Sequence, residues 1–167
     1  MRRGIRLYNI MLPIWPILAM PTWLWLLLIP VNFGIDFLVT YLCTGDMADR
    51  GAFCRRHVWK ICLAGFAADM AGVGIMLLLS LAGASGTGRL SNIFGGVMMN
   101  PFSHPISLII VLAVIVLVAV MIFVIDRKIL GKAGLTAQKA RYIALRLAIF
   151  TAPYLFLFPS SLMYNEI

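Results

Sequence analysis

The polar positions of this chain fall in short runs that separate long apolar segments. Four of these segments are long enough to cross about 30 Å of hydrocarbon, and they cover roughly residues 22–43, 58–82, 105–125 and 142–159. The pattern predicts an all-α integral membrane protein with four transmembrane helices. Because little sequence lies between the segments, residues 1–167 are expected to form a single polytopic domain.

The apolar stretch at residues 5–20 is shorter and is interrupted by Pro13 and Pro16, which remove backbone hydrogen bonds from a helix. We expect a short N-terminal helix here. It can lie in the membrane interface, enter and return as a re-entrant segment, or cross as a short fifth span, and the sequence leaves these alternatives open.

Composition and charge support the membrane prediction. The chain is 62% hydrophobic and 12% charged, whereas about a quarter of residues are charged in soluble domains. The net charge of +8 does not indicate a nucleic-acid partner, because the basic residues flank the apolar segments, and eight of the 14 Lys and Arg residues lie in residues 44–57 and 126–141. By the positive-inside rule, these two basic loops are cytoplasmic in a cell-membrane protein, which leaves loop 83–104, with its glycines, as a flexible outer loop and places the C-terminus outside. The basic loops would also attract anionic lipid headgroups.

Two acids inside the apolar segments are the strongest candidates for a functional site. Asp36 shares a helical face with Asn32 and Thr40, and Asp69 lies in the second segment at a similar depth from the first basic loop. Burial of an ionisable group inside a membrane is energetically unfavourable, and such a group often has a function. Two carboxylates that met there would not both ionise easily, so the pair is a candidate proton carrier or cation ligand.

Small residues accompany Asp69 on the second segment. Ala64, Ala68 and Gly72 form a small-xxx-small ridge beside Gly65, which predicts close packing against another helix. The third segment has almost no polar residue and is expected to face lipid or a partner subunit.

A cation is also expected near the two acids. Arg146 enters the fourth segment from the side of the second basic loop, so we expect it to join Asn32, Asp36, Thr40 and Asp69 in an intramembrane polar cluster. Cys43, Cys54 and Cys62 have neither a disulfide framework nor a zinc-ligand spacing, so no metal and no cofactor are expected.

These features favour a non-enzymatic subunit or accessory component of a membrane assembly, either a homo-oligomer or a complex with other membrane proteins. The alternative is a small channel or a proton- or cation-coupled transporter that uses Asp36 and Asp69. A third possibility is an intramembrane aspartyl hydrolase with these acids as its dyad, and catalysis is the least favoured of the three.

The enzyme alternative has a family resemblance behind it. Residues 66–69, which end in Asp69, resemble the Phe-Asn-x-Ala-Asp motif of lipoprotein signal peptidase, and Asn32 with Asp36 is similar to that family's Asn-x-x-Asp. The resemblance implies a four-span aspartyl protease. The chain departs from it because Ala67 replaces the asparagine, the Asn32 to Asp36 spacing is one residue longer, no arginine follows Asp36, and the acids lie on the first two spans instead of the last two.

Overall fold

The structure is a computed structural model that describes residues 25–84 and 88–163. The described residues form helices joined by short connections, with no strand among them. Within the described residues, five α-helices follow one another in the order α1 (Trp25–Cys43), α2 (Arg50–Ala84), α3 (Arg89–Met99), α4 (Pro105–Lys132) and α5 (Ala137–Phe150). Four stretches are helical, long and apolar enough to cross a membrane, at Trp25–Cys43, Arg50–Gly83, Pro105–Lys132 and Ala137–Leu157. The N-terminal segment 5–20 lies outside the described residues.

The helices are longer at the basic ends than the apolar pattern predicts. α2 begins at Arg50 instead of residue 58, and α4 continues to Lys132 instead of ending at residue 125. The basic residues therefore lie mostly in helix ends, and the true connections shrink to residues 44–49 and 133–136. Thr136 closes the second connection as the N-cap of α5, where its side chain accepts a hydrogen bond from the Lys139 amide.

The prediction of a flexible loop over residues 83–104 is wrong for most of its length. Residues Arg89–Met99 form α3, and Pro101–Ser103 add one turn of 3-10 helix. His104 is the N-cap of α4, because its ring nitrogen accepts a hydrogen bond from the Ile106 amide. The Ser107 hydroxyl fixes α3 to α4 by donating a buried hydrogen bond of 2.6 Å to the Ile93 carbonyl.

The fourth predicted span divides into two parts. α5 ends at Phe150, ahead of Pro153, and a 3-10 helix at Tyr154–Leu157 follows it. Pro153 has no amide hydrogen to continue the helix, which explains the early end. The buried Phe156 of this short helix packs in the core.

α4 lies at the centre of the bundle, where it packs against α2, α3 and α5. One face of α4 repeats a buried residue every three or four positions, which matches the helical period. The expectation that the third span faces lipid or a partner subunit does not hold for this face of α4. The apolar side chains of that face are the core of the protein, so their lack of polarity reflects burial among helices.

The buried apolar side chains form two separate clusters. The large core cluster consists of Ala68, Val73, Met76, Val97, Val111, Val114, Ile115, Val118, Ile122, Ala148, Ala152 and Phe156. The small core cluster consists of Ile61, Leu130, Ala140, Ile143, Ala144 and Leu147. On α2 the two clusters are separated by the stretch between Ile61 and Ala68, and on α4 by the stretch between Ile122 and Leu130.

Candidate functional site

Three aspartates from three helices are buried in the bundle. Asp36 comes from α1, Asp69 from α2 and Asp126 from α4, and their exposed fractions are 5%, 5% and 1%. Asp36 lies within electrostatic range of both Asp69 and Asp126. We call these residues the acidic layer.

Helical spacing places each acid in this layer. Asp126 follows Ile122 and precedes Leu130 by one helical turn each, so it shares the buried face of α4 with a member of each core cluster. Asp69 directly follows Ala68 of the large core cluster. On α1 only Asp36 and Thr40 are buried, and they are one turn apart.

Hydrogen bonding in the acidic layer is incomplete. Asp36 pairs with the thiol of Cys62, one of the three free cysteines. Within the described residues, both carboxyl oxygens of Asp126, one oxygen of Asp69 and the hydroxyl of Thr40 are buried without a hydrogen-bond partner. Buried polar groups are usually paired, and an unpaired one is destabilising by about 1–3 kcal/mol. Such groups have the capacity to bind a proton, an ion or water.

No cation reaches the acidic layer from the part of the chain that the structure describes. Arg146 is exposed, and its guanidinium lies 4.3 Å from the centre of the Tyr142 ring. The structure therefore places Arg146 outside the polar cluster in which the sequence predicts it. Its position on α5 explains this, because Arg146 precedes the buried pair Leu147 and Ala148 and projects from the opposite face.

The other predicted site residues differ in burial and in how closely they pack against neighbouring helices. Asn32 is half-buried, one turn before Asp36 on α1. Gly72 is buried, and a Cβ added to it would lie 2.6 Å from a methyl group of Val118 and 3.0 Å from the Phe156 ring. A Cβ on Gly65 would meet no atom within 4 Å. Ala68 belongs to the large core cluster and Ala64 is half-buried, so contact with other helices is made by Ala68 and Gly72.

Asp126 is the residue that the apolar pattern misses, because it directly follows a predicted span that ends at residue 125. A signal for it exists in the sequence. No glycine or proline occurs between Pro105 and Gly131, so nothing interrupts the helix at Ile125. Extending the helix to that glycine would have placed Asp126 on the same face as Ile122.

Across residues 25–84 and 88–163, no group of three or more His, Cys, Asp and Glu side chains has the geometry to hold a metal ion. Comparison with protein-family models, with curated proteins and with solved structures finds no match.

Proposed function

We propose that the chain is a four-span integral membrane protein that transports protons across the membrane, with Asp36, Asp69 and Asp126 as its proton-binding groups. The observation that carries this proposal is the acidic layer, three buried carboxyl groups of which two retain unpaired oxygens. Neighbouring carboxylates in a poorly hydrated site cannot all be charged, so protons must occupy part of the layer.

The proton is the ion that suits this geometry best. A proton neutralises one carboxyl group at a time, so it does not require the three acids to converge on one point. Intramembrane acids of this kind mark proton relays and ion pathways. The helix α5 contributes only apolar buried residues, so the titratable groups that face Asp36 in the described structure are Cys62 and Asp69 of α2 and Asp126 of α4.

Proton flux into proteoliposomes tests the proposal. A potassium diffusion potential across vesicles that contain the protein should drive proton uptake, followed with an internal pH-sensitive dye. The variants Asp36→Asn, Asp69→Asn and Asp126→Asn should each reduce uptake at least tenfold. Asp49→Asn is the matched control, because Asp49 is an exposed acid in the 44–49 connection, and uptake should be unchanged.

Flux that survives in all three layer variants would refute proton binding by these acids as the basis of transport. Wild-type vesicles that take up no more protons than empty vesicles would refute the transporter itself. The amount of folded protein in each vesicle preparation is measured by size-exclusion chromatography before reconstitution, so that a loss of flux is assigned to the acid and not to unfolding.

The topology that we propose places the 44–49 and 133–136 connections in the cytoplasm and α3 on the outer side of the cell membrane, following the distribution of Lys and Arg. Ala48→Cys and Ser91→Cys test it, since both positions are exposed. In a variant without native cysteines, a membrane-impermeant maleimide should label Ser91→Cys in intact cells. It should label Ala48→Cys only after permeabilisation, and the reverse pattern would invert the topology.

A second candidate is a non-enzymatic subunit of a larger assembly, and the exposure of α1 favours it. Only Asp36 and Thr40 are buried on this helix, and Leu38 is 57% exposed. A second copy of the chain packed on α1 would cover this face. Leu38→Cys should then form a disulfide-linked dimer in native membranes, whereas a chain that is monomeric in the membrane would give none.

A further inference from the structure

Two apolar grooves of similar size open on the surface of the bundle. The first lies between α1 and α2 and has a volume of about 410 Å³. The second lies between α4 and α5 and has a volume of about 380 Å³. Both volumes are in the range of small-molecule sites, so size alone does not distinguish them.

The first groove differs from the second in what lies behind it. Its wall contains Cys62, and the thiol of Cys62 is the partner of Asp36 in the acidic layer. The groove is therefore one side chain away from Asp36, which forms no salt bridge with a cation of the described residues and lies within electrostatic range of Asp69 and Asp126. The second groove is lined by apolar residues and Tyr154, whose hydroxyl already donates a 2.6 Å hydrogen bond to the Ile149 carbonyl.

Aromatic rings line the first groove on both helices. Trp25 and Phe33 come from α1, and Trp59 and Phe66 from α2. The rings of Trp25 and Phe66 stack across the two helices with their centres 6.2 Å apart. The faces of aromatic rings attract cations, and this attraction is stronger where water is excluded.

We propose that the groove between α1 and α2 binds a lipophilic organic cation, whose apolar body contacts the aromatic rings while its charge is balanced by Asp36. This inference rests on the proposed function and names the substrate class of the same site. Charge complementarity selects the occupant, because a neutral acyl chain would fill the groove without balancing the acids. Displacement of a proton from the acidic layer by the cation would couple the two ions.

Binding of tetraphenylphosphonium tests the proposal against tetraphenylborate, which has nearly the same size and shape and the opposite charge. Equilibrium dialysis against the purified full-length chain in a neutral detergent gives both affinities. Wild-type protein should bind the cation at least tenfold more tightly than the anion, and binding should strengthen as pH rises and release protons. Equal affinities for the two probes would show that the groove responds only to apolarity and would overturn the proposal.

Variants locate the bound cation. Asp36→Asn should weaken tetraphenylphosphonium binding about tenfold or more because it removes the charge, and Phe33→Ala should weaken it about threefold to tenfold because it removes a ring. The controls are Asp49→Asn and Ile149→Ala, the latter an exposed residue of the second groove, and both should bind as wild type. If Asp36→Asn does not fold, Phe33→Ala and the pair of probes decide the question.

The outcomes separate this inference from the proposed function. A protein that transports protons through the acidic layer but binds the two probes equally retains the proposed function and loses the substrate class. Selective binding of the cation that survives in both Asp36→Asn and Phe33→Ala places the cation elsewhere and refutes the groove. A protein that shows neither proton flux nor selective binding loses both.

Discussion

The chain contains acids in two opposite settings. Asp46, in the connection between α1 and α2, is exposed and forms a salt bridge with Lys139 of α5. Asp126 is 1% exposed in the interior of the bundle, and neither of its carboxyl oxygens has a partner within the described residues. Lys139 thus pairs with an acid that water already solvates. No cation of the described residues pairs with Asp126, where burial makes the charged carboxylate unfavourable.

This difference bears on the role of the buried acids. An acid that only fixed the packing of the helices would be expected to have a partner for each of its oxygens, since an unpaired buried group is destabilising. The acidic layer has a single thiol as a partner for Asp36 and unpaired oxygens on the other two acids. The unpaired carboxyl oxygens support a functional role for the acidic layer. Four predictions test the contrast between the buried and exposed acids, from the largest expected change in stability to the smallest.

The largest effect is expected where the tight packing beside the layer is broken. Gly72→Leu would force side-chain atoms into Val118 and Phe156, and overpacking of this kind destabilises by about 1–3 kcal/mol or more. The unfolding free energy in detergent measures it. Gly65→Leu is the matched control, because a Cβ there meets no atom within 4 Å, and its free energy of unfolding should not fall below that of wild type.

The next effect is a gain in stability. Asp126→Val removes two buried oxygens that have no partner within the described residues and replaces the carboxyl group with an apolar side chain. We expect the free energy of unfolding to rise by about 1–3 kcal/mol while proton flux is lost. A destabilised Asp126→Val protein would mean that the carboxyl group has a structural partner, and it would weaken the contrast with Asp46.

Asp36 is the intermediate case because it has one partner. Cys62→Val removes the thiol donor and should reduce the free energy of unfolding by about 0.5–1.5 kcal/mol, whereas Cys62→Ser restores a donor and should recover part of the loss. Cys43→Val is the control, since Cys43 is a half-buried free cysteine on α1 that packs beside the small core cluster. Equal losses in Cys62→Val and Cys43→Val would show that the thiol contributes packing alone.

Much of this architecture can be predicted from the apolar pattern, and the errors have identifiable causes. The four long apolar helices were predicted because a run of apolar residues is sufficient to identify them. Their ends were not, since Arg50 and Lys132 are compatible with a helix and the pattern treats any charge as the start of a loop. The same rule excluded Asp126 from the third span.

The partners of the acids were harder to predict than the acids. Asp36 and Asp69 are visible in the sequence because they interrupt apolar runs, and the structure brings them into electrostatic range. Arg146 lies on the exposed face of α5, because the buried face of this helix contains Leu147 and Ala148 of the two core clusters. The buried face of α5 is decided by the helices that pack against it. The spacing of residues along α5 does not reveal which helices these are.

The smallest effect is expected at Asp46. Its salt bridge with Lys139 holds the pKa of Asp46 below the ordinary carboxyl value, so the pair stabilises the folded state above that ordinary value and the contribution is lost as pH falls through the lowered pKa. Lys139→Met keeps the apolar stem and removes the charge. Because exposed pairs are weak and screened by salt, we expect its melting temperature at pH 7 to fall slightly in low salt and not at all in about 1 M salt. At pH 3 the difference between variant and wild type should shrink. A large fall in melting temperature that persists in high salt would contradict this prediction. It would show that the salt bridge between Asp46 and Lys139 contributes more to stability than an exposed ion pair usually does.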